Sequence, residues 1–122
     1  VNISLEMNVE DFPLQFISDI DITTIFSNLF DNAIEACMEI SKSQRKIHIV
    51  LRMQMGLIVL RITNSCKDTE SKEFHFHCST KANHYGIGLS NVKKAVEKYD
   101  GVFSVNQDKN QFCVSITFSE HT

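Results

Sequence analysis

Four polar side chains within two helical turns, Asn28, Asp31, Asn32 and Glu35, are the residues whose types and spacing suit chemistry. Two carboxamides and two carboxylates set this closely require a polar ligand, a metal ion or water. Asparagine is a mediocre helix former because its amide competes for backbone hydrogen bonds, so a pair at i and i+4 in mid-helix points to a use. Carboxamide oxygens are hard donors of the kind Mg2+ accepts when it shares its shell with phosphate. A solvated stripe on a half-buried helix is the plainer reading of the same residues.

Gly86 and Gly88 flank Ile87 and precede Leu89, where a second apolar periodicity begins. Lacking Cβ, they would let backbone amides at a helix N-terminus close on an anion, although two turn glycines before a helix look the same. Lys81, on the same stretch, is either a mobile cation for phosphate or a solvated lysine. Asn64 ends an apolar run, where its amide either meets a planar base with both donor and acceptor or starts a turn. His75, His77 and Cys78 are three potential zinc ligands in four residues, one short of a structural site.

The elements that must position these residues follow from periodicity. Over residues 21–40, at about 100° per residue, Ile22, Ile25, Phe26, Leu29, Phe30, Ala33, Ala36, Cys37 and Ile40 form one broad apolar arc. This predicts a core-packed helix with Asp21 as its N-cap and the four polar residues beside the arc. Residues 1–10 alternate strictly and predict a strand with one buried face. A hairpin is expected over residues 47–63, turning at Met55-Gly56, with its second strand the more central. Residues 66–85 lack periodicity, as functional loops of this length do. Leu89, Val92, Ala95, Val96 and Tyr99 predict a second helix closed by Gly101, and a hairpin turning at residues 108–110 ends the chain. Five strands and two helices make an α+β two-layer sandwich, its mixed, largely antiparallel sheet covered on one face by both helices.

A length of 122 residues suits one domain with one core, and a net charge of -3 leaves no basic footprint for nucleic acid. The longest apolar run, residues 57–60, is far short of the roughly 20 residues of a membrane span. Cys37, Cys66, Cys78 and Cys113 show no CxxC pairing, so reduced thiols are expected.

In order and spacing, NLFDNAIEA (residues 28–36), ITNS (62–65) and STKANHYGIGLSNVKKAVEKYDG (79–101) resemble the N, G1 and G2 boxes of the GHKL ATP-binding superfamily. DNA gyrase, the Hsp90 chaperones, histidine kinases and the MutL repair proteins belong to it. The nearest likeness is to sensor histidine kinases of the peptide quorum-sensing group, the Agr, Com and Vir type, and it covers nearly the whole chain. The resemblance implies the GHKL fold, with Asn32 coordinating Mg2+ on the ATP phosphates and Asn28 assisting. It implies Lys81 and the backbone of Gly86, Ile87, Gly88 and Leu89 at the phosphates, Asn64 at the adenine amino group, and residues 66–85 as an ATP lid.

Two departures bear on function. Most members carry an aspartate in a DxGxG motif, where this chain has Asn64 without the glycines. Gyrase, Hsp90 and the anti-sigma serine kinases carry a glutamate base one turn before the magnesium asparagine, where this chain has Asn28. An amide takes no proton from water or a serine hydroxyl, which disfavours fast hydrolysis and serine phosphorylation. A neutral imidazole is already a nucleophile; Glu35 either orients it or is a solvated carboxylate. The expected function is therefore the catalytic domain of a sensor histidine kinase. It would bind Mg-ATP and pass the γ-phosphate to a histidine on an upstream dimerisation domain absent from these residues, with a response regulator as indirect partner. The alternative is a nucleotide-binding or partner-docking module without catalysis. The abrupt start at Val1, with no start methionine, suggests a cytoplasmic piece of a membrane-anchored sensor.

Overall fold

The structure is a computed structural model that describes residues 3–9, 14–67 and 86–119. The first strand, β1 (Ser4–Val9), leads to helix α1 (Asp19–Met38), a 3-10 turn at Lys42–Gln44, and strands β2 (Lys46–Gln54) and β3 (Leu57–Ser65). Helix α2 (Ile87–Lys98) and strands β4 (Val102–Asp108) and β5 (Gln111–Ser119) complete the order. The sheet runs β1-β2-β3-β5-β4. Only β1 and β2 pair in parallel, across the α1 crossover; the other pairs are antiparallel. The two-layer α+β sandwich is thus as expected, with β3 at the centre.

Helix α1 forms because its apolar residues recur on one side: Ile25, Leu29, Ala33, Ala36 and Cys37 are buried. Its N-cap is Ser18, not the expected Asp21. The Ser18 hydroxyl accepts from the Asp21 amide at 3.2 Å, which leaves the Asp21 carboxylate free to bind elsewhere. The helix stops at Met38, before the expected Ile40, because the amides of Glu39 and Ile40 drop back to the carbonyls of Ala36 and Cys37.

The β2–β3 hairpin turns at Met55 (φ 53°) and Gly56 (φ 81°), the pair of left-handed residues that matches strand twist in a two-residue loop. Helix α2 closes differently from expectation: the left-handed position is Asp100 (φ 60°). Gly101 is required by space instead, since a Cβ there would lie 2.7 Å from Val96 Cγ1 and from the Phe118 ring.

Ile47, Ile49, Ile58, Leu60, Ile62, Phe112, Val114, Ile116 and Phe118 line the helix-covered face and pack with the apolar faces of α1 and α2. Each buried side chain of this size stabilises by about 1.5–3 kcal/mol. Strand β1 departs from the expected buried face, for all six of its residues are exposed, with Leu5, Met7 and Val9 at 54, 55 and 51%. Their register with Ile47, Ile49 and Leu51 puts them on the helix-covered side. Two helices about 10 Å wide cover roughly four strands at about 4.8 Å spacing, and β1 is the fifth, at the edge. Among the described residues, no helix is long and apolar enough to cross a membrane.

Candidate functional site

Asn28 and Asn32 lie one turn apart on α1, and Gly86, Ile87, Gly88 and Leu89 form the N-cap and first turn of α2. The two segments meet. A Cβ built on Gly88 would stand 3.0 Å from Oδ1 of Asn28, so the missing side chain is what lets α2 approach this face of α1. Asn28 also donates from Nδ2 to the Thr24 carbonyl at 2.8 Å. Its carboxamide is therefore oriented, with the nitrogen engaged on its own helix and the oxygen turned to the start of α2. Leu89 is buried and anchors that first turn, whereas Ile87 is 82% exposed.

Asn32 and Asn64 are the two buried polar residues among those described, at 9 and 2% exposure. No hydrogen bond joins the Asn32 amide to another described residue. A nearly buried carboxamide in that state has an oxygen to give to a ligand. Asn64 shares its face of β3 with Ile58, Leu60 and Ile62, under the helices. It donates Nδ2 to the Ser65 carbonyl at 2.9 Å, so its Oδ1 is the end left to accept. The ambiguity left by the sequence, base contact or turn, is narrowed: β3 continues through Asn64 to Ser65, and no turn begins at Asn64.

Asp31 and Glu35, the other half of the polar stripe, are exposed. Lys81, His75, His77, Cys78 and all but the first two residues of the lid expected over 66–85 lie outside the described residues. Among the described residues, no group of three or more His, Cys, Asp or Glu side chains is placed to hold a metal. Cys37, Cys66 and Cys113 are in the reduced thiol form, as expected. Burial pushes the Cys37 thiol up, and its Sγ–H donates to the Lys46 carbonyl at 3.7 Å.

Beyond Asn64, a half-open cleft of about 640 Å³ lies between the end of α1 and the β4–β5 turn. Ser41, Lys46, Ser65, Cys66, Lys67 and Gln111 are among its lining residues.

The opposite end of the helix pair holds a polar cluster that sequence reasoning missed. Tyr99, just past α2, donates its hydroxyl to Oδ2 of Asp21 and accepts from the Ser18 amide at 3.0 Å. Lys98 Nζ sits 3.0 Å from the same carboxylate oxygen, which also accepts from Ser18 Oγ at 3.0 Å. The Tyr99 hydroxyl first, and then Lys98, hold the Asp21 carboxyl below the usual carboxylate range; Asp21 in turn raises Lys98. Phe16 packs edge-on against both Tyr99 and Phe118 beneath this cluster. Gln107 was passed over as well. The signal was there: in Phe103, Val105, Gln107, alternation sets a polar side chain on an apolar face.

Comparison with known proteins gives a family and a fold. A family model described as a GHKL domain matches residues 17–119. A search of curated proteins finds no match. Among solved structures, the Acinetobacter baumannii histidine kinase AdeS is similar at TM-score 0.70 and 16% identity, over 99% of this chain and 56% of that one. The catalytic domain of histidine kinase ThkA is similar at TM-score 0.70 and 21% identity, over 98% of this chain and 80% of that domain. The histidine kinase domain of the Erythrobacter litoralis EL346 blue-light activated histidine kinase is similar at TM-score 0.75 and 11% identity, over 97% of this chain and 52% of that one. The chain thus spans little more than half of two of these three. At such identities the likeness is one of fold.

Proposed function

The chain belongs to the GHKL domain family, and on that premise we propose that it is the ATP-binding catalytic domain of a histidine kinase. In this reading it binds Mg-ATP and presents the γ-phosphate to a histidine on a helical dimerisation domain, from which a response regulator is phosphorylated in turn. The observation that carries the reading is the coincidence of burial with motif. Asn32 and Asn64, the buried polar residues of the described chain, are those that the family resemblance assigns to the metal and the base. The glycine-led start of α2 abuts the same face of α1.

The donor set fits magnesium: Asn32 offers a carboxamide oxygen that no described residue occupies, with Asn28 one turn away. Bound with the nucleotide, the ion supplies charge neutralisation at the phosphates. The chain's own residues do the rest. The amides at Gly86, Ile87, Gly88 and Leu89 face the anion from the positive end of α2, and Lys81 adds a cation. Asn64 accepts from the adenine amino group through Oδ1. Asn28, committed to Thr24 and packed on Gly88, is no general base, so transfer relies on an acceptor that is already nucleophilic and on positioning.

We assign the subgroup, on the same motifs, to the Agr, Com and Vir type of membrane-anchored sensor, with this domain on the cytoplasmic side. A non-catalytic nucleotide-binding or docking module is the second reading, favoured by the neutral Asn64 where relatives carry aspartate. Titration of a fluorescent ATP analogue tests both. Saturable, Mg2+-dependent binding below millimolar nucleotide is expected, together with phosphorylation of an added histidine-bearing dimerisation domain. Binding without transfer selects the second reading, and no saturable binding at millimolar nucleotide overturns the first.

A further inference from the structure

We propose that Gln107 reads the base of the bound nucleotide and that, together with Asn64, it selects a 6-aminopurine; this rests on the nucleotide-binding reading above. Ile47, Asn64, Phe112 and Gln107 form one row across β2, β3, β5 and β4. Residues paired in register share a face, and Phe112, fully buried, sets that face under the helices. Gln107 does not lie flat in its strand. Its Nε2 reaches Cys66 Sγ at 3.5 Å, which carries its head back across β5 to the residue that follows β3, two beyond Asn64.

Its Oε1 is buried and has no hydrogen-bond partner among the described residues. Native structures rarely leave a buried acceptor in this state, and a donor on a bound ligand would satisfy it. Asn64, in the same row, has Nδ2 engaged on Ser65 and offers its own oxygen. The two Cα atoms are two strand spacings apart, about 10 Å, and side chains reaching toward each other shorten this. Two acceptors of a single amino group stand roughly 5–6 Å apart, within reach of side chains at this pair of positions. An exocyclic amine has two N–H bonds and satisfies both. A 6-oxopurine presents a lone pair to the same two oxygens and is repelled, and a purine without a 6-substituent leaves both unpaired.

The test is calorimetric titration of the chain, with Mg2+, by ATP, inosine triphosphate and purine riboside triphosphate. On the unmodified chain ATP should bind at least about fivefold more tightly than purine riboside triphosphate. Equal affinity overturns the assignment without any variant. Gln107→Met should weaken ATP about five- to tenfold while leaving purine riboside triphosphate unchanged, narrowing the preference over inosine triphosphate by at least the same factor. Gln107→Glu, which keeps an acceptor, should keep the preference. If Gln107→Met weakens all three nucleotides equally, or leaves ATP affinity unchanged, the residue is structural and the proposal fails while the nucleotide reading stands. If the unmodified chain binds none of the three, the nucleotide reading fails and takes this proposal with it.

Discussion

The two ends of the α1–α2 pair are built from similar polar material and use it in opposite ways. At the end holding Ser18, Asp21, Lys98 and Tyr99, every side-chain hydrogen bond and ion pair described runs between members of the cluster. At the end holding Asn28, Asn32 and Asn64, with Gln107 below, the amides are at most partly satisfied: Asn28, Asn64 and Gln107 each engage their nitrogen on backbone or thiol and leave an oxygen over, and Asn32 bonds to no described residue. Because the first tie joins the start of α1 to the end of α2, and the second joins mid-α1 to the start of α2, the helices run antiparallel. Each end therefore fixes the distance at which the other works. A polar cluster that completes itself holds the fold, and one that does not is shaped for something outside it.

Mutations at the two ends should separate stability from binding. The largest effect is expected for Asn32→Ala, which should weaken Mg-nucleotide binding on the order of a hundredfold. Its melting temperature should stay level or rise slightly, because alanine is the better helix former by up to about 0.7 kcal/mol. A clear fall in melting temperature would mean that Asn32 belongs to the structural class instead. Gly101→Ala should do the reverse, costing about 1–3 kcal/mol in denaturant unfolding through its clash with Val96 and Phe118, with nucleotide affinity unchanged.

Gly88→Ala sharpens the contrast. Helix propensity favours alanine there by up to about 1 kcal/mol while the new methyl presses on Asn28, so stability should hardly move and nucleotide affinity should fall about tenfold. The smallest effect is on pH dependence. With the Asp21 carboxyl held below its ordinary value, its share of stability is present above about pH 4 and lost as pH falls through the lowered folded value. In Tyr99→Phe, NMR titration should show that carboxyl moving back up, and the acid limb of the stability curve should shift to higher pH. An Asp21 titration that Tyr99→Phe leaves alone would break the assignment of this end as self-contained.

Much of this was legible in the chain because local periodicity carries it. The apolar arc of α1, the alternation of β2, the more uniformly apolar run of β3 and the Met55-Gly56 turn are short-range patterns, and each appears as read. What escaped depends on partners distant in sequence. Ser18 displaces Asp21 as cap because Tyr99 and Lys98 claim the carboxylate, and no local pattern announces that. The exposure of Leu5, Met7 and Val9 follows from how many helices lie over the sheet, not from their own alternation. Gly101 looked like a helix stop and is a spacer under Val96 and Phe118. In the site, the motif resemblance pointed to Asn32 and Asn64, but the direction in which each amide faces needed three dimensions.

The parallel seating of β1 has a consequence for the order of assembly. The β2–β3 and β4–β5 pairs close through short turns, whereas Ser4 meets Lys46 only after α1 has crossed the sheet and docked. Closing that loop costs chain entropy before any contact rewards it, and the reward is small because the Leu5, Met7 and Val9 side chains stay half in water. Strand β1 should therefore be the last to zip on and the first to peel away. Native-state hydrogen exchange should find its amides opening with far less free energy than those of β3 and β5, which unlock only with the whole domain.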